Sequence, residues 1–320
     1  MSFFRKSLFW VIALVVLGGA FFITDDRVEE AERVEAFNLR LLPFEGADVT
    51  ALWIGRPGED RPTRLLRQAD GWWLVEPLRA RGDDKAIGDL LRNITGTRKD
   101  AVLFEQPTQA KLGELGLRPP ALELGLITGE GRAVLRFGGA GPTHNVAYAM
   151  FEDDPRVYRI HADVMTQVDV ELRALRDKTV LAINPTGLRR MELARRGKDK
   201  VVITHDRGRW DMRQPTAARA AMAAVLETLY LVNEAEVKAF IDEAPTDLGR
   251  YGLDAPRITL SIEEKERDGR QTLSIGAKDR KRRGYFARRD GAANIILLEE
   301  AVVNALLADA DKWREPDDGA

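Results

Sequence analysis

The chain of 320 residues contains no cysteine. That absence excludes disulfides, thiol catalysis, cysteine-ligated zinc and a lipid-modified N-terminal cysteine. Only three histidines occur, His144, His161 and His205, which leaves little material for a histidine-rich metal site. The serines are Ser2, Ser7, Ser261 and Ser274, none in the strand–turn–helix context of a nucleophile elbow. Net charge is also lacking: 49 Lys and Arg against 51 Asp and Glu give −2, so the whole-chain balance offers no case for nucleic-acid binding. What is present is a globular composition, 44% hydrophobic and 31% charged, in a chain long enough for two ordinary domains.

Arg5 and Lys6 precede an uncharged apolar run from Leu8 to Ile23, and Asp25, Asp26, Glu29 and Glu30 follow at once. Such a run approaches the ~20 residues that cross a bilayer core. The basic flank places the N-terminus in the cytoplasm and the body outside it. A cleaved signal peptide competes with this reading because Gly18-Gly19-Ala20 offers small residues near a cut. The apolar run continues past them through Phe21, Phe22 and Ile23, which favours an uncleaved anchor. A charged stalk follows, with Val28, Ala31 and Val34 at loosely helical spacing.

The stretch Leu112-Gly113-Glu114-Leu115-Gly116-Leu117-Arg118-Pro119-Pro120 recurs as Leu248-Gly249-Arg250-Tyr251-Gly252-Leu253-Asp254-Ala255-Pro256. Gly116 and Gly252 stand where a helix end needs a left-handed residue, and the prolines keep the helix from resuming. Other landmarks repeat around it at offsets of 135 to 139: Val49 with Leu188, Trp73 with Trp210, Leu91 with Leu226, Gly138 with Gly276, Tyr148 with Tyr285, Val164 with Val302. Leu175-Arg176 likewise meets Trp313-Arg314. Within each copy the order reads strand hairpin, helices, strand meander, final helix. Asp83 or Asp84 caps a helix whose apolar positions Ile87, Leu90, Leu91 and Ile94 share one face. A period this long means two similar domains and not a solenoid. The expected organisation is α+β: an anchor over 1–24, a stalk over 25–44, a first repeat over 45–182, a second over 183–316 and a tail over 317–320, each repeat an antiparallel sheet packed with helices. Trp73 and Trp210 are expected to pack helix against sheet.

Local motifs favour plain roles. His161-Ala162-Asp163 supplies two metal-capable side chains and nothing to complete a site. Glu152-Asp153-Asp154 lacks the spacing of a calcium loop and reads as a polar turn before Pro155. Gly138-Gly139-Ala140-Gly141-Pro142 lacks the lysine and hydroxyl ending of a phosphate loop, so no nucleotide or other cofactor is expected. One cluster points outward. Lys278, Arg280, Lys281, Arg282, Arg283, Arg288 and Arg289 crowd one hairpin region, diluted by Asp279 and Asp290. A solvated loop competes with an anion contact: lipid headgroups, an acidic glycan or an acidic partner.

The apolar N-terminal segment, the Gly71–Pro77 strand, the doubled Leu-Gly-x-x-Gly-Leu turn and the Gly138/Tyr148 and Gly276/Tyr285 strand pairs together resemble the family catalogued as domain of unknown function 4340. The resemblance covers nearly all of the chain after Phe44, and only Pro119-Pro120 departs from the usual spacing. It implies a single-pass envelope protein, often encoded beside a gliding-motility-type ABC transporter. It carries over no catalytic residues. The expected function is therefore a non-catalytic accessory in the inner membrane, its body periplasmic, its partners transporter subunits or other envelope proteins, with an anionic lipid or glycan at the basic hairpin. The alternatives are an envelope glycan hydrolase, for which the sequence places no carboxylate pair, and a structural or adhesive scaffold.

Overall fold

The computed structural model describes residues 40–141 and 145–316. The expected anchor, most of the stalk, His144 and the tail lie outside these residues. Among the described residues no helix is long and apolar enough to cross a membrane. The chain divides into two compact units, one ending at Asp177 and the other beginning at Lys178.

In the first unit β1 (Val49–Gly55), β2 (Thr63–Gln68), β3 (Gly71–Glu76) and β4 (Ala80–Arg81) lead into helix α1 (Asp84–Thr95). Then follow β5 (Ala101–Phe104), α2 (Gln109–Glu114), β6 (Leu122–Thr128), β7 (Arg132–Ala140), β8 (Val146–Phe151), β9 (Val157–His161) and α3 (Ala162–Val168). The second unit repeats the plan: β10 (Leu188–Arg195), β11 (Lys198–Asp206), β12 (Arg209–Gln214), β13 (Ala218–Arg219) and α4 (Met222–Asn233). It continues through β14 (Ala239–Asp242), β15 (Ile258–Glu264), β16 (Arg270–Asp279), β17 (Gly284–Arg289), β18 (Ile295–Glu299) and α5 (Glu300–Leu306). Each unit holds one nine-stranded antiparallel sheet with few helices. The strand orders β4-β3-β2-β1-β6-β7-β8-β9-β5 and β13-β12-β11-β10-β15-β16-β17-β18-β14 are the same.

One face of each sheet packs against the long helix. Strand alternation sends Leu52, Ile54, Leu65, Leu74 and Leu124 to that face, where they meet Ile87, Leu90, Leu91 and Ile94 of α1. Asp83 caps α1, its carboxylate accepting from the Ala86 amide at 3.0 Å. Among the described residues the Leu-Gly-x-x-Gly-Leu turn covers one end of the other face. Leu115 and Leu117 join Tyr148, Met150 and Val157 there, and in the second unit Tyr251 and Leu253 join Phe286 and Ile295.

Both turns use the left-handed glycine that the sequence demands, Gly116 at φ 68° and Gly252 at φ 65°. The structure adds the other half of the joint. A Cβ on Gly138 would lie 2.2 Å from the Leu115 carbonyl oxygen, and one on Gly276 would lie 2.1 Å from that of Tyr251. The strand must therefore lack a side chain where the turn lands on it.

Burial and register correct three of the expected pairings. The partner of Trp210 is Trp72 and not Trp73: both are buried in their cores, and their carbonyls accept from the amides of Ala220 and Gly82. Trp73 points to the opposite face, half-buried, and its indole donates to Asp70 at 2.9 Å. Leu91 matches Leu229 and not Leu226, since Val225, Thr228, Leu229 and Val232 are the buried positions of α4. Tyr148 matches Phe286, while Tyr285 matches Ala147, by their pairing with β9 and β18. With these changes the offset is 138 across the helices and outer strands. It drops to 136 only between the Leu-Gly-x-x-Gly-Leu turn and the following hairpin.

The repeat also begins earlier than residues 45 and 183. Val180, Leu181 and Ile183 belong to the second core, as Leu41, Leu42 and Phe44 belong to the first. The bridges Arg40–Arg98 and Thr179–Glu236 open the two copies in the same way. Residues 40–44, the end of the expected stalk, and residues 179–183 therefore hold corresponding places in the two units.

Candidate anion-contact surface

The seven cations singled out in the sequence do not form one cluster. The β16–β17 turn, residues 280–283, carries four of them, with Lys278 just before it on β16. Arg288 and Arg289 stand at the far end of β17, about 17 Å from Arg283 at the usual rise per strand residue. They are already engaged with backbone: Arg288 Nε donates to the Ala292 carbonyl and Arg289 Nη1 to that of Thr179, both at 2.9 Å. Proximity in sequence along an extended strand is distance in space, and these two leave the candidate contact.

At the turn itself the charges divide again. Lys278 Nζ is 3.0 Å from the Glu300 carboxylate and lies 5.6 Å from the Tyr285 ring centroid. Arg282 folds back on Asp279, which accepts from both its amide and its Nη1 at 3.0 Å. These bonds, the backbone one foremost, hold the Asp279 carboxyl below its ordinary range. The carbonyl of Arg283, at φ 53°, accepts from Lys238 Nζ, which also pairs with Glu299 at 2.9 Å. Asp279, Glu299 and Lys238 thus fix the backbone of the turn. The side chains of Arg280, Lys281 and Arg283 are exposed and face no carboxylate within ion-pair distance among the described residues. Three cations on a braced turn can hold an anion through charge-assisted hydrogen bonds without reorganising the backbone.

The duplication supplies an internal comparison. The sequence joining β7 to β8 in the first unit reads Gly141-Pro142-Thr143-His144-Asn145 and carries no Lys or Arg. The basic tip is thus a property of one copy and not of the scaffold.

The other sequence candidates have local duties. His161 caps α3, its Nδ1 accepting from the Asp163 amide at 3.3 Å. Among the described residues no group of three potential ligands could hold a metal ion. Glu152 pairs with Arg132 and Arg136, and Asp154 with Arg156 and the Tyr158 hydroxyl. The hydrogen bonds from Arg156 draw the Asp154 carboxyl down to about 2. Gly138 and Gly139 serve the turn joint described above, and Gly139 donates its amide to Leu115. In the first unit a groove of about 790 Å³ runs between α1 and β3 over Gly46, Gly71, Gly88 and Gly96. Its acids are held in place, Asp84 by Arg81 and the Trp72 amide, Asp70 by the Trp73 indole.

On the second sheet Glu192 is gripped by Lys200 at 2.7 Å and Arg190 at 2.6 Å, with Arg270 at 3.4 Å. Lys200 and Arg190 lower its pKa from 4.5 to about 2. A carboxylate depressed in the folded state contributes its stability above the unfolded value and loses it as pH falls through the folded one. We expect denaturant stability to decline as pH falls from about 4.5 toward about 2. The Glu192→Gln variant should show a shallower decline across that window, whereas an unchanged slope would remove Glu192 from the acid limb.

The family model described as Domain of unknown function (DUF4340) matches residues 72–228 and again residues 210–317. The two matches start at Trp72 and Trp210, the pair that burial and register equate. No curated protein and no solved structure matches the chain. With its model matching twice over most of the length, this chain belongs to the DUF4340 family.

Proposed function

We propose that this chain is a non-catalytic accessory of an envelope transport system, held in the inner membrane by Leu8–Ile23 with its body in the periplasm. Its second unit contacts an anionic partner through the basic tip. The observation that carries this reading is the contrast between the two copies. One scaffold, built twice, presents Arg280, Lys281 and Arg283 on a braced turn in one copy, with no ion pair among the described residues, and joins the matching strands in the other through a sequence without Lys or Arg. Gathering like charges gains nothing for an isolated fold, and an anion relieves their repulsion. The energy for transport belongs to a partner ATPase in this account.

The test is co-purification of the full-length chain from membranes across a salt series. Changing Arg280, Lys281 and Arg283 to Gln leaves Asp279 its Arg282 and so preserves the turn. The variant should fold as the parent does and lose partner association most at low salt. Near 0.15 M, where the Debye length is about 8 Å, screening already weakens such contacts and the difference narrows. Association unchanged at every salt concentration would return the tip to a solvated loop.

A further inference from the structure

The outward faces of the two units differ at matched positions. On the first sheet, away from α1, Trp73, Leu66, Ala51 and Ile127 stand side by side across β3, β2, β1 and β6. Leu66 is 42% exposed and Ile127 38%. Trp53, on the same face of β1, lies over Gly125, where a Cβ would meet the indole at 2.0 Å. The matched row on the second sheet is Asp211, Thr204, Arg190 and Glu263, polar throughout, with Asp211 buried beneath Arg209 and Arg213 and the other three half-buried.

The helices reverse this pattern. The outer face of α1 carries Asp84, Lys85, Gly88, Asp89, Arg92 and Asn93. At the same places α4 carries Met222, Ala223, Leu226, Glu227, Tyr230 and Leu231. Met222 is 53% exposed, Tyr230 44% and Leu231 36%. So the first unit has a polar helix and an apolar sheet face, and the second has an apolar helix and a charged sheet face. An apolar stripe kept on a helix whose twin is polar marks a contact surface.

We propose that the α4 face of one molecule binds the open sheet face of the first unit of a second copy, a head-to-tail contact. Extent and charge both fit. Met222 to Tyr230 spans about 12 Å of helix, and the row from Trp73 to Ile127 about 14 Å of sheet. Two acids accompany the helix stripe, Glu227 within it and 3.5 Å from Lys312, and Glu234 at its C-terminal end with no ion pair among the described residues; Arg81, paired with Asp84, and Arg132 close the two ends of the sheet row. Arg79 lies 5.6 Å from the Trp73 ring centroid. Glu76 pairs with Arg64 and Glu152 with Arg132, so the rim is mixed, but Arg79 has no carboxylate partner among the described residues. A head-to-tail contact leaves one face free at each end, so it propagates or closes into a ring.

The absence of native cysteine makes the test direct. Full-length chain carrying Leu226→Cys is mixed in detergent with full-length chain carrying Ile127→Cys and mildly oxidised. The mixture should give a disulfide-linked dimer that neither variant gives alone. Met222→Cys and Leu66→Cys form a second pair should either of the first fail to fold. Independently, Tyr230→Asp should weaken self-association about tenfold or more by light scattering. Cross-linking of Leu226→Cys with itself would replace the proposal with paired helices. No cross-link in any mixture, with Tyr230→Asp matching the parent, would overturn it.

Discussion

Replacing Trp313 with alanine should cost the second unit roughly 3–5 kcal/mol, toward the upper end of large-to-small core substitutions. The indole is fully buried and sits among the residues of the second core. Its Nε1 donates to the Thr228 hydroxyl at 3.0 Å, and that hydroxyl donates to the Ala224 carbonyl at 2.9 Å. Arg195 lies 5.5 Å from the ring centroid, its guanidinium donating to the carbonyls of Ala308 and Asp199. Burial pushes the Arg195 pKa down, so removing the ring leaves a desolvated cation beside a cavity. The first unit has a matching clamp, Arg56 donating to Val170 at 2.7 Å, but there Nε also reaches Asp169. The position matching Asp169 is Leu307, and Arg195 Nε has no partner among the described residues. Calorimetry of Trp313→Ala should show one transition lowered by about 10 °C or more. A shift below about 3 °C would mean that the indole is not the centre of that core.

The second large effect belongs to the glycine joint. Gly276→Ala should cost more than about 3 kcal/mol, beyond the usual range for added methyl groups. The new Cβ would meet backbone: the Tyr251 carbonyl oxygen at 2.1 Å and Gly252 at 2.9 Å. No rotamer change relieves that contact, so the turn must lift and uncover Tyr251, Leu253 and Ile295. Gly138→Ala should behave alike in the first unit. Gly88→Ala provides a control of opposite sign. It lies within α1 with nothing inside 4 Å of its added Cβ, and should stabilise by roughly 0.5–1 kcal/mol. Chemical denaturation of the three variants decides the matter. Near-neutral outcomes at both Gly138 and Gly276 would show that turn and strand are not locked together.

Much of the architecture is legible in the sequence because its punctuation is local. Gly116 and Gly252 take positive φ where a Cβ would be strained and would meet the backbone of Gly139 and Ala277, and their spacing to Gly138 and Gly276 follows the chain. The pairing of Trp73 with Trp210 fails for a physical reason. Two adjacent tryptophans on a strand face opposite sides, so a slip of one residue exchanges core for surface. Leu226 is mistaken for Leu229 because α4 carries apolar residues on its outer face as well as its buried one, so its periodicity does not mark which is buried. Val180-Leu181 reads as part of the first repeat because a short apolar segment has no period to assign it.

The surface is less legible than the core. Seven cations close in sequence become a tip of four, Lys278 beside it and a distant pair, because a strand separates what it lists in order. The row from Trp73 to Ile127 is invisible without strand register, since its members come from residues 51, 66, 73 and 127. Only the structural alignment of one copy on the other shows which surface features are scaffold and which are added.

The claim that the added features carry the function is tested most directly by exchanging the two turns. In the full-length chain, residues 280, 281 and 283 would take uncharged residues as at the β7–β8 connection, Arg282 being kept for Asp279, and a second variant would carry Arg-Lys-Arg-Arg in the first unit alone. Partner association from membranes is then measured across a salt series for the parent and both variants. The account predicts that the first exchange abolishes the salt-sensitive association while the calorimetric transitions stay in place. It also predicts that the basic turn in the first unit does not fully restore it, because the partner reads the second unit. Association that persists unchanged without the basic tip, at low salt and high, would contradict the account.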